Sequence, residues 1–430
     1  MRYSISDTSL PHIVVVGGGF AGLAAIKKLN NKPFRVTLLD KHNYHTFQPL
    51  LYQVASGGLS ADSIAYPFRR KTGAYPNIRF RMCSVESVDL ENKKVITDRG
   101  AFAYDILIIA AGAQTNYYGN AQLEKFGLPL KSVPDALNLR SFIFQEFEEA
   151  LLEAREADIK KRMHFVIAGG GPTGVELAGA LAEIRKKVLP NDYRELLAQH
   201  MEVTLIEGNA RLLSGMREKS GNLAKKYLEK LGVQVMLKTM VKNYDGSTLQ
   251  VDGRDDILTD NVIWTAGVQG VQLAGIDAAA YGRGKRLLVD AYNRLQGRED
   301  VYVLGDLALM HADSNYPEGH PGVAQVAIQQ AHHVVSNLLR SRKQLSMRPF
   351  HYKNKGSMAT IGRHRAVVDL PRISFGGFIA WYIWMVIHLM TLVGFRNKFI
   401  VFVNWMWNYI TYDRALRLII RPFRTKTGDA

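Results

Sequence analysis

The sequence predicts an α/β fold with two Rossmann-like dinucleotide-binding domains, because one pattern occurs twice in its 430 residues. The first copy runs from Val14 to Gly22 and the second from Val166 to Gly174. In each copy an apolar run leads through a G-x-G-x-x-G turn into a helical pattern, which is the order that a dinucleotide fold requires. A strand that ends in a carboxylate follows each helix and supports the same fold.

The three glycines of each turn have separate roles in such a fold. The first makes a tight turn, the second lets the backbone approach a pyrophosphate, and the third lets the helix pack closely on the strand. These residues are Gly17, Gly19 and Gly22 in the first copy, and Gly169, Gly171 and Gly174 in the second. Phe20, Ala21, Pro172 and Thr173 begin the two helices, whose free N–H groups are expected to face the pyrophosphate.

The two strand-ending carboxylates are expected to bind ribose hydroxyl groups. Asp40 lies 23 residues (40 − 17) after the first glycine of its turn, close to the ~20 residues expected. Glu207 lies 38 residues (207 − 169) after the first glycine of the second turn. The excess falls in the polar segment Arg185–His200, which we interpret as an extension of the helix.

Length and charge limit the classes of protein. A chain of this length suits two or three domains, and its hydrophobic content of 47% is that of a globular protein. The formal net charge of +16 indicates an anionic partner or location, unless it is simply spread over solvated faces. The sequence contains neither a long basic run nor an RNA-binding signature, so we expect an anionic membrane surface and no nucleic acid.

The cysteine count excludes several kinds of redox chemistry. Cys83 is the only cysteine in the sequence. An intrachain disulfide, an electron relay through a cysteine pair and a Cys-ligated zinc or iron–sulfur site therefore cannot form. Residues 1–12 lack the apolar region of a secretory signal, so the nucleotide-binding domains are expected to stay in the cytoplasm.

The segment after the first carboxylate can form a cofactor wall, because Lys41–Ala55 is dense in aromatic and amide side chains. His42 and His45 have no carboxylate or thiol cluster near them in the sequence, so we predict no metal site. Short strands are then predicted at Ile78–Met82, Val85–Leu90 and Val95–Thr97.

Two later strands end in pairs of small residues. The first ends in Ala111 and Gly112, and the second in Ala266 and Gly267. Small residues at strand ends allow a ligand to lie against the backbone, although close packing of strands also favours them.

A charged helical stretch, Pro134–Arg162, leads into the second unit, which closes near Asp290. The strand Asp300–Asp306 then delivers another acid after a glycine. In isolation this is an ordinary turn. Because it follows two dinucleotide units, we interpret Asp306 as the residue that meets the ribityl chain of a flavin.

The C-terminus contains two apolar stretches. Ser374–Phe395 has 22 residues without Lys, Arg, Asp or Glu, which is long enough by the ~20-residue rule to span a bilayer. Phe399–Tyr412 has only 14, and a single span would place the basic tail Arg414–Lys426 against the positive-inside tendency. We therefore predict a monotopic helical hairpin in one leaflet, with a buried core helix as the alternative. Four arginines would then meet headgroups: Arg414, Arg417, Arg421 and Arg424.

Two further segments resemble the type II NADH dehydrogenases, the non-pumping NADH:quinone oxidoreductases of bacterial and mitochondrial membranes. Ala324–Gln329 is similar to that family's quinone-site motif, with Gln325 and Gln329 on one helix face. Lys355–Gly362, followed by the apolar C-terminus, is similar to the family as well. With the motifs above, the resemblance spans nearly the whole chain.

The resemblance implies non-covalent FAD in the first unit and NADH as the substrate in the second. The implied FAD residues are the first turn with Asp40, Lys41, Ala111, Gly112 and Asp306. The implied NADH residues are the second turn with Glu207, Ala266 and Gly267. The resemblance also implies menaquinone or ubiquinone as acceptor, a location at the cytoplasmic face of the bacterial inner membrane, and a homodimer.

Four side chains are candidates for the chemistry. Glu176 stands where the first repeat has Ala24, and it either stabilises the first helical turn or, as the resemblance favours, helps to relay protons to the quinone. Gln325 and Gln329 suit a neutral quinone oxygen, and the alternative is that they cap a neighbouring loop. Lys355 either contributes charge at the site or is solvated.

The predicted arrangement has three parts: an FAD-binding domain at 1–117 and 290–345, an NADH-binding domain at 118–289, and a membrane-binding, quinone-access segment at 346–430. The predicted reaction converts NADH, H⁺ and quinone into NAD⁺ and quinol without ion pumping. The first alternative is a sulfide:quinone oxidoreductase, which would need reactive cysteines. A soluble ferredoxin or NAD(P)H reductase is the second, which the apolar tail argues against. The third is a flavin-binding sensor or apoptosis module without turnover.

Overall fold

The computed structural model describes residues 3–411 and 416–420. These residues form two compact units, each assembled from three stretches of the chain. The first unit consists of Met1–Thr46, Ala65–Gln114 and Val268–Asn354, and the second of Phe47–Ile64, Thr115–Gly267 and Lys355–Ala430. Each unit contains one of the two glycine-rich turns.

The first unit is built on a five-stranded parallel sheet. Its central strands are runs of Val, Ile and Leu that are buried on both faces, as in parallel sheets covered on both sides. Val14 is aligned with Thr37 on one side and with Leu107 on the other. In order across the sheet, the strands are Val301–Val303, Ile106–Ile109, His12–Val16, Arg35–Asp40 and Ile78–Met82.

Helices and small sheets cover this parallel sheet. Helix Phe20–Leu29 follows the glycine turn and packs against helix Ala324–Ser341. The other helices are Phe68–Thr72 and the 3₁₀ turns Ala278–Ala280, Arg283–Lys285 and Gly305–Leu307. The other strands are Tyr44–Thr46, Ala65–Pro67, Val85–Asp89, Lys94–Thr97, Gly100–Ala103, Ala113–Thr115, Val268–Gly270, Tyr281–Gly282, Arg286–Val289 and Ala308–Met310.

The second unit repeats the parallel sheet. Its strands, in order, are Leu128–Pro129, Asn261–Trp264, His164–Ala168, Glu202–Glu207 and Gln234–Leu237. The remaining strands are Val241–Tyr244, Thr248–Val251, Ile257–Leu258, Ser357–Thr360, Ala366–Asp369 and Ser374–Gly377. The helices are Leu51–Ala55, Ala61–Ile64, Ala121–Phe126, Val133–Ala150, Glu156–Arg162, Pro172–Lys187, Leu189–Asp192, Glu218–Lys230, Phe378–Thr391 and Phe395–Thr411, with 3₁₀ turns Gln48–Leu50 and Ala198–His200.

The C-terminal residues of the second unit form a three-stranded antiparallel sheet followed by two helices. The sheet packs on helix Glu218–Lys230. The two helices run antiparallel, because Lys398 Nζ donates to the Met390 carbonyl at 2.7 Å while the rings of Trp384 and Trp405 lie 5.5 Å apart. The predicted helical hairpin is therefore present. Within residues 3–411 and 416–420, no helix is both long and apolar enough to cross a membrane.

Some predicted boundaries differ from the structure. The 22-residue apolar stretch is divided, because Ser374–Gly377 forms a sheet strand and Gly377 adopts a φ of +98° before the helix begins. The proposed helix extension is wrong beyond Lys187, where a short helix, a loop and a 3₁₀ turn follow. The contact with helix Glu218–Lys230 joins the C-terminal sheet to the second unit, and the first unit resumes at Val268 instead of near 290. Arg414, Arg421 and Arg424 lie outside the described residues.

Candidate active site

The first glycine turn has the geometry that a bound pyrophosphate needs. The Gly17 N–H donates to the Leu39 carbonyl at 2.8 Å, and Gly17 has a φ of +93° that favours glycine. A Cβ on Gly22 would stand 1.8 Å from the Gly17 carbonyl oxygen, whereas a Cβ on Gly19 would meet no atom within 4 Å. Gly19 also begins the helix without a side-chain cap, so the first N–H groups can bind an anion.

The second turn reproduces this geometry. The Gly169 N–H donates to the Ile206 carbonyl at 2.8 Å, and Gly169 has a φ of +112°. A Cβ on Gly174 would stand 1.9 Å from the Gly169 carbonyl oxygen, and a Cβ on Gly171 would meet no atom within 4 Å. Gly171 begins its helix without a side-chain cap. Both turns therefore fit the pyrophosphate of a dinucleotide.

Each predicted ribose carboxylate is bound to its own turn. Asp40 Oδ2 accepts the Gly18 N–H at 2.6 Å, and Oδ1 accepts the His42 N–H at 2.7 Å. Burial raises the pKa of Asp40, and these two N–H donors oppose that rise. The carboxylate is thereby placed at the edge of the turn, where a ribose would lie.

Glu207 has the matching arrangement in the second unit. Its Oε2 accepts the Gly170 N–H at 2.6 Å, and its Oε1 accepts the Asn209 backbone and side-chain N–H groups at 2.8 and 2.6 Å. The 38-residue separation therefore does not displace the acid from its turn.

The small residues after the neighbouring strands lie beside the turns. A Cβ on Gly17 would be 2.4 Å from the Ala110 carbonyl oxygen and 3.1 Å from Cα of Ala111. In the second unit, a Cβ on Gly169 would be 2.7 Å from the Ala266 nitrogen. Gly112 and Gly267 adopt φ values of +73° and +97° directly after these residues. Lys41 is exposed, and its positive charge acts on the Asp40 carboxylate, whose pKa it lowers.

Asp306 lies in the first unit on the 3₁₀ turn Gly305–Leu307. Gly305 has a φ of +72°, and its N–H donates to Oε1 of the fully buried Gln330 at 2.7 Å. The helix that carries Gln325 thus also holds the turn of Asp306. Sequence reasoning missed Gln330, which differs from its neighbour Gln329 only in the helix face that it occupies.

His45 is another residue whose role the sequence did not reveal. Its Nδ1 lies 3.0 Å from the Gly18 carbonyl oxygen, and its ring contacts Phe20 edge-to-face at 5.2 Å. Burial lowers the pKa of His45 to about 4, so the ring is neutral at physiological pH. The side chain of His45 therefore contacts the glycine turn and helps to hold its conformation.

Glu176 is the most strongly perturbed carboxylic acid of the described residues. It is the fifth residue of helix Pro172–Lys187, beyond the first turn, so the helix-dipole explanation is weak. Its side chain is buried, and desolvation raises the pKa of Glu176 to about 8. The Thr360 N–H donates to Oε1 at 3.3 Å, which opposes this rise. Glu176 is therefore mainly protonated at neutral pH.

Glu176 lines a cavity of about 130 Å³ in the second unit. Three tryptophans also line this cavity: Trp381, Trp384 and Trp405. Trp384 is 2% exposed, and its indole N–H meets no acceptor among the described residues. A buried donor without a partner is costly, which makes this N–H a candidate for pairing with a bound ligand.

The close approach of the helix of Glu176 depends on a glycine. A Cβ on Gly179 would stand 2.5 Å from the Gly362 nitrogen. Gly179 therefore lets the helix lie directly against the loop after strand Ser357–Thr360, and the cavity forms between them and the C-terminal helices.

The two candidate quinone-site glutamines both contact the segment that follows their helix. Gln329 Nε2 donates to the Lys353 carbonyl at 2.9 Å, and its Oε1 accepts the Lys353 N–H at 3.1 Å. Gln325 Oε1 accepts the Tyr352 hydroxyl at 3.4 Å. The loop-capping alternative therefore describes the observed contacts of Gln329. Lys355 is exposed at the start of the last stretch of the second unit.

Comparison with known families gives the class of protein that this arrangement defines. Residues 11–331 match the family described as pyridine nucleotide-disulphide oxidoreductase, which covers both dinucleotide turns. Residues 354–412 match the family described as NDH2 C-terminal domain. The chain is therefore a pyridine nucleotide oxidoreductase of the two-dinucleotide class, although its single, buried cysteine provides no disulphide.

Curated relatives define the family more narrowly. The type II NADH:quinone oxidoreductase NdhA of Mycobacterium tuberculosis is 37% identical over 91% of this chain and 86% of its own length. Ndh of the same organism is 36% identical over 94% and 89%. The chain belongs to the type II NADH:quinone oxidoreductases, and FAD is the cofactor typical of this family.

A solved structure supports the fold. The chain is similar to NDH2 from Plasmodium falciparum in complex with NADH, with a TM-score of 0.87 and 22% identity. The likeness covers 96% of this chain and 100% of that chain. At this identity it shows the fold alone.

Proposed function

We propose that this chain is a membrane-associated FAD enzyme that oxidises NADH and reduces a quinone to quinol without pumping ions. FAD, when bound, would supply the chemistry for accepting a hydride and passing two electrons to the quinone. The chain's own residues hold the two dinucleotides, form the quinone cavity and supply a proton. The observation that carries the proposal is the cavity in which the neutral acid Glu176 and the unpaired indole N–H of Trp384 occur together.

The two glycine turns are the proposed dinucleotide sites. In the first unit, the N–H groups at the start of helix Phe20–Leu29 would hold the pyrophosphate of FAD, and Asp40 would hold its ribose. We assign the ribityl chain to Asp306. In the second unit, Pro172 has no N–H, and the N–H groups that follow it in helix Pro172–Lys187 would hold NADH, with Glu207 at the ribose.

The cavity suits a neutral acceptor that takes up protons. The Trp384 indole can donate to a quinone carbonyl oxygen, and the tryptophan rings offer an apolar wall for a flat ring. Glu176 carries a proton at neutral pH and can release it as negative charge develops on the quinone oxygen. We propose that Gln325 and Gln329 contribute by fixing the backbone at Tyr352 and Lys353, and that Lys355 adds positive charge.

The C-terminal helices are the proposed membrane contact at the cytoplasmic face of the inner membrane. Their outward apolar side chains include Ile379, Met390 and Phe395, exposed by 68, 65 and 84%. Several exposed apolar side chains on two adjacent helices are typical of an interfacial helix pair. The net charge of +16 favours anionic lipid. A homodimer remains a prediction that sedimentation can test.

The decisive assay uses purified protein with FAD and compares NADH, NADPH and sulfide as donors to short-chain quinones. NADH should support rapid quinone reduction, and sulfide should support none, because Cys83 is the only thiol. Trp384→Phe should raise the quinone KM while flavin reduction by NADH stays unchanged. Absence of NADH-dependent quinone reduction in the FAD-loaded wild type would overturn the proposal.

Membrane contact has its own test. Replacing Ile379, Met390 and Phe395 together by Ser should release the protein from phosphatidylglycerol vesicles and leave NADH oxidation by water-soluble acceptors intact. Retention of this variant on the vesicles would contradict the assignment of this surface.

A further inference from the structure

A row of hydrogen bonds connects the second C-terminal helix to Glu176. The Trp405 indole N–H donates to Gln53 Oε1 at 2.8 Å, and Gln53 Nε2 donates to the Tyr52 hydroxyl oxygen at 2.9 Å. The Tyr52 hydroxyl lies 2.9 Å from the Thr360 hydroxyl, and the Thr360 N–H donates to Glu176 Oε1. All five residues belong to the second unit and line the same cavity.

The first two bonds of this row have a fixed direction. An indole N–H can only donate, so Gln53 must present its carbonyl oxygen to Trp405. The Gln53 amide group then points toward Tyr52. Loss of either the indole N–H or the Gln53 amide leaves a polar group without its partner, so each of these residues constrains the other.

The far end of the row is the only hydrogen bond that the side chain of Glu176 makes among the described residues. The donor is the backbone N–H of Thr360, the last residue of strand Ser357–Thr360. The side chain of Thr360 is held by the hydroxyl group of Tyr52. The backbone of Thr360 is paired with Ala366 in the sheet, and the Tyr52 hydroxyl, which in turn contacts Gln53, adds a side-chain contact to the same residue. An N–H that donates to a carboxyl oxygen favours the charged form of the acid.

We propose that Trp405, on the second C-terminal helix, and Gln53, on helix Leu51–Ala55, are positioning residues that fix the hydrogen bond from Thr360 to Glu176 and thereby tune its release of a proton. Neither residue contacts Glu176 directly. Trp405 belongs to the helix whose outward side chains Phe399 and Met406 are exposed, so one helix bears both the proposed lipid contact and the start of the row. This inference rests on the proposed function of Glu176 as proton donor to the quinone.

Other ionisable groups face the same cavity. Glu183 and Lys187 follow Glu176 on its own helix, and Arg363 comes from the loop after the strand of Thr360. Tyr52 comes from helix Leu51–Ala55. None of the four is among the causes of the raised pKa of Glu176, which are burial and, in opposition, the Thr360 N–H. The row of hydrogen bonds therefore acts on Glu176 through that N–H.

The test measures the titration of Glu176 directly, without turnover. The infrared absorption of its protonated carboxyl group, assigned by its loss in Glu176→Gln, gives the pKa in the FAD-loaded protein. Trp405→Phe and Gln53→Leu should each raise that pKa by about one unit, because the N–H contact to the charged form is loosened. The double variant should show the same shift as either single variant, since both break one row.

A matched control and a rescue make the result specific. Trp407→Phe removes an indole from the same helix at an exposed position and should leave the titration unchanged. Trp405→His restores a ring N–H and should recover part of the shift. If Gln53→Leu does not fold with FAD, Trp405→Phe decides, because it removes one N–H from a half-buried ring.

The pH profile supplies a second readout. In the pH profile of kcat with quinone, the pKa that is due to Glu176 should shift by the same amount as the pKa measured by infrared titration. The rate of flavin reduction by NADH should stay at its wild-type value. A wild-type titration in Trp405→Phe, or additive shifts in the double variant, would overturn the positioning role. A shifted titration without quinone activity in the wild type would instead retain the positioning role and reject the proposed function.

Discussion

The two dinucleotide units are alike in the parts that a nucleotide must meet. In both turns the first glycine N–H donates to a strand carbonyl at 2.8 Å, and an acid accepts the next N–H at 2.6 Å. The likeness extends to the amino-terminal end of the first strand of each repeat, which begins with a histidine. His12 Nε2 lies 2.8 Å from Thr37 Oγ1, and His164 Nε2 lies 2.9 Å from Thr204 Oγ1. Such repetition is expected where both units hold the same chemical group.

The units differ where their tasks differ. The first unit has Ala24 two residues after its third glycine, within a helix of 10 residues. The second unit has Glu176 at the same place, within a helix of 16 residues that borders a cavity. We therefore assign the shared residues to nucleotide binding, and we propose that Glu176, where the second unit departs from the repeat, acts on the second substrate.

The largest expected effect comes from replacing the first glycine of each turn by alanine, because the added Cβ would clash with the backbone at the end of the neighbouring strand. Gly17→Ala would place Cβ 2.4 Å from the Ala110 carbonyl oxygen at a φ of +93°, so FAD should be lost on purification. Gly169→Ala would place Cβ 2.7 Å from the Ala266 nitrogen, so FAD should be retained while the KM for NADH rises at least ~100-fold, about 2.7 kcal/mol. Flavin absorbance and stopped-flow reduction by NADH measure the two outcomes.

Two other glycines serve as controls that separate the effect of the Cβ clash from the effect of backbone strain at a positive φ. Gly100 and Gly253 have φ values of +109° and +65°, and a Cβ on either would meet no atom within 4 Å. Their Ala variants should cost ~1–3 kcal/mol of stability and keep both FAD and NADH. Loss of FAD from Gly169→Ala would contradict the assignment of one dinucleotide to each unit.

The second prediction concerns the departure from the repeat. Glu176→Gln keeps the size of the side chain and removes its proton, so quinone turnover should fall on the order of 10- to 1000-fold. FAD content and flavin reduction by NADH should not change. Steady-state kinetics across pH check this, because the limb near the Glu176 pKa of about 8 should disappear.

Another acid on the same helix provides the control. Glu183 lines the same cavity and is half-buried. Glu183→Gln should change quinone turnover only slightly. Equal losses in the two variants would assign the effect to the charge of the cavity and not to Glu176.

The repeated parts could be predicted from the sequence because they are local. Each turn, its helix and the acid-bearing strand follow one another along the chain, so period and spacing reveal them. The His–Thr pairs also had a signal, because a histidine starts the first strand of both repeats and a threonine lies at the same place in the next strand. Only the pairing of those side chains required the structure.

The cavity could not be predicted in the same way, because distant parts of the chain form it. Gln53 meets Trp405, 352 positions away, and Tyr52 meets Thr360, 308 positions away. Neither pair follows a helix or strand period. Burial of Glu176 likewise depends on Gly179 and Gly362, whose close approach no local pattern indicates.

The third prediction sharpens the comparison of the two acids. Glu207→Gln should reduce the preference for NADH over NADPH about 10-fold, ~1.4 kcal/mol, because repulsion of a 2′-phosphate is removed. Asp40→Asn in the first unit should weaken FAD retention and leave that preference unchanged. Ratios of kcat/KM for the two donors measure the effect. An unchanged ratio in Glu207→Gln would show that another residue excludes NADPH.

The smallest expected effect is on thermal stability, and it again distinguishes the helix of Glu176 in the second unit from the helix of Ala24 in the first. The pKa of Glu176 is about 8 in the folded protein, against an ordinary value of 4.5 for a glutamate side chain. Between these values the folded state keeps a proton that the unfolded state has lost, so the free energy of unfolding decreases as pH rises from 4.5 to 8. The Glu176→Gln variant has no proton to lose at this position, so it lacks this pH dependence of the free energy of unfolding. Its Tm should therefore exceed that of the wild type by an amount that grows across this range, reaches a few degrees, and levels off above pH 8. Ala24→Ser in the first unit introduces no titrating group, so its Tm difference from the wild type should not vary with pH. Differential scanning fluorimetry of the FAD-loaded proteins measures both differences. A Tm difference for Glu176→Gln that is constant from pH 5 to 8 would mean that Glu176 ionises normally, and the proton-donor role would then have to be abandoned.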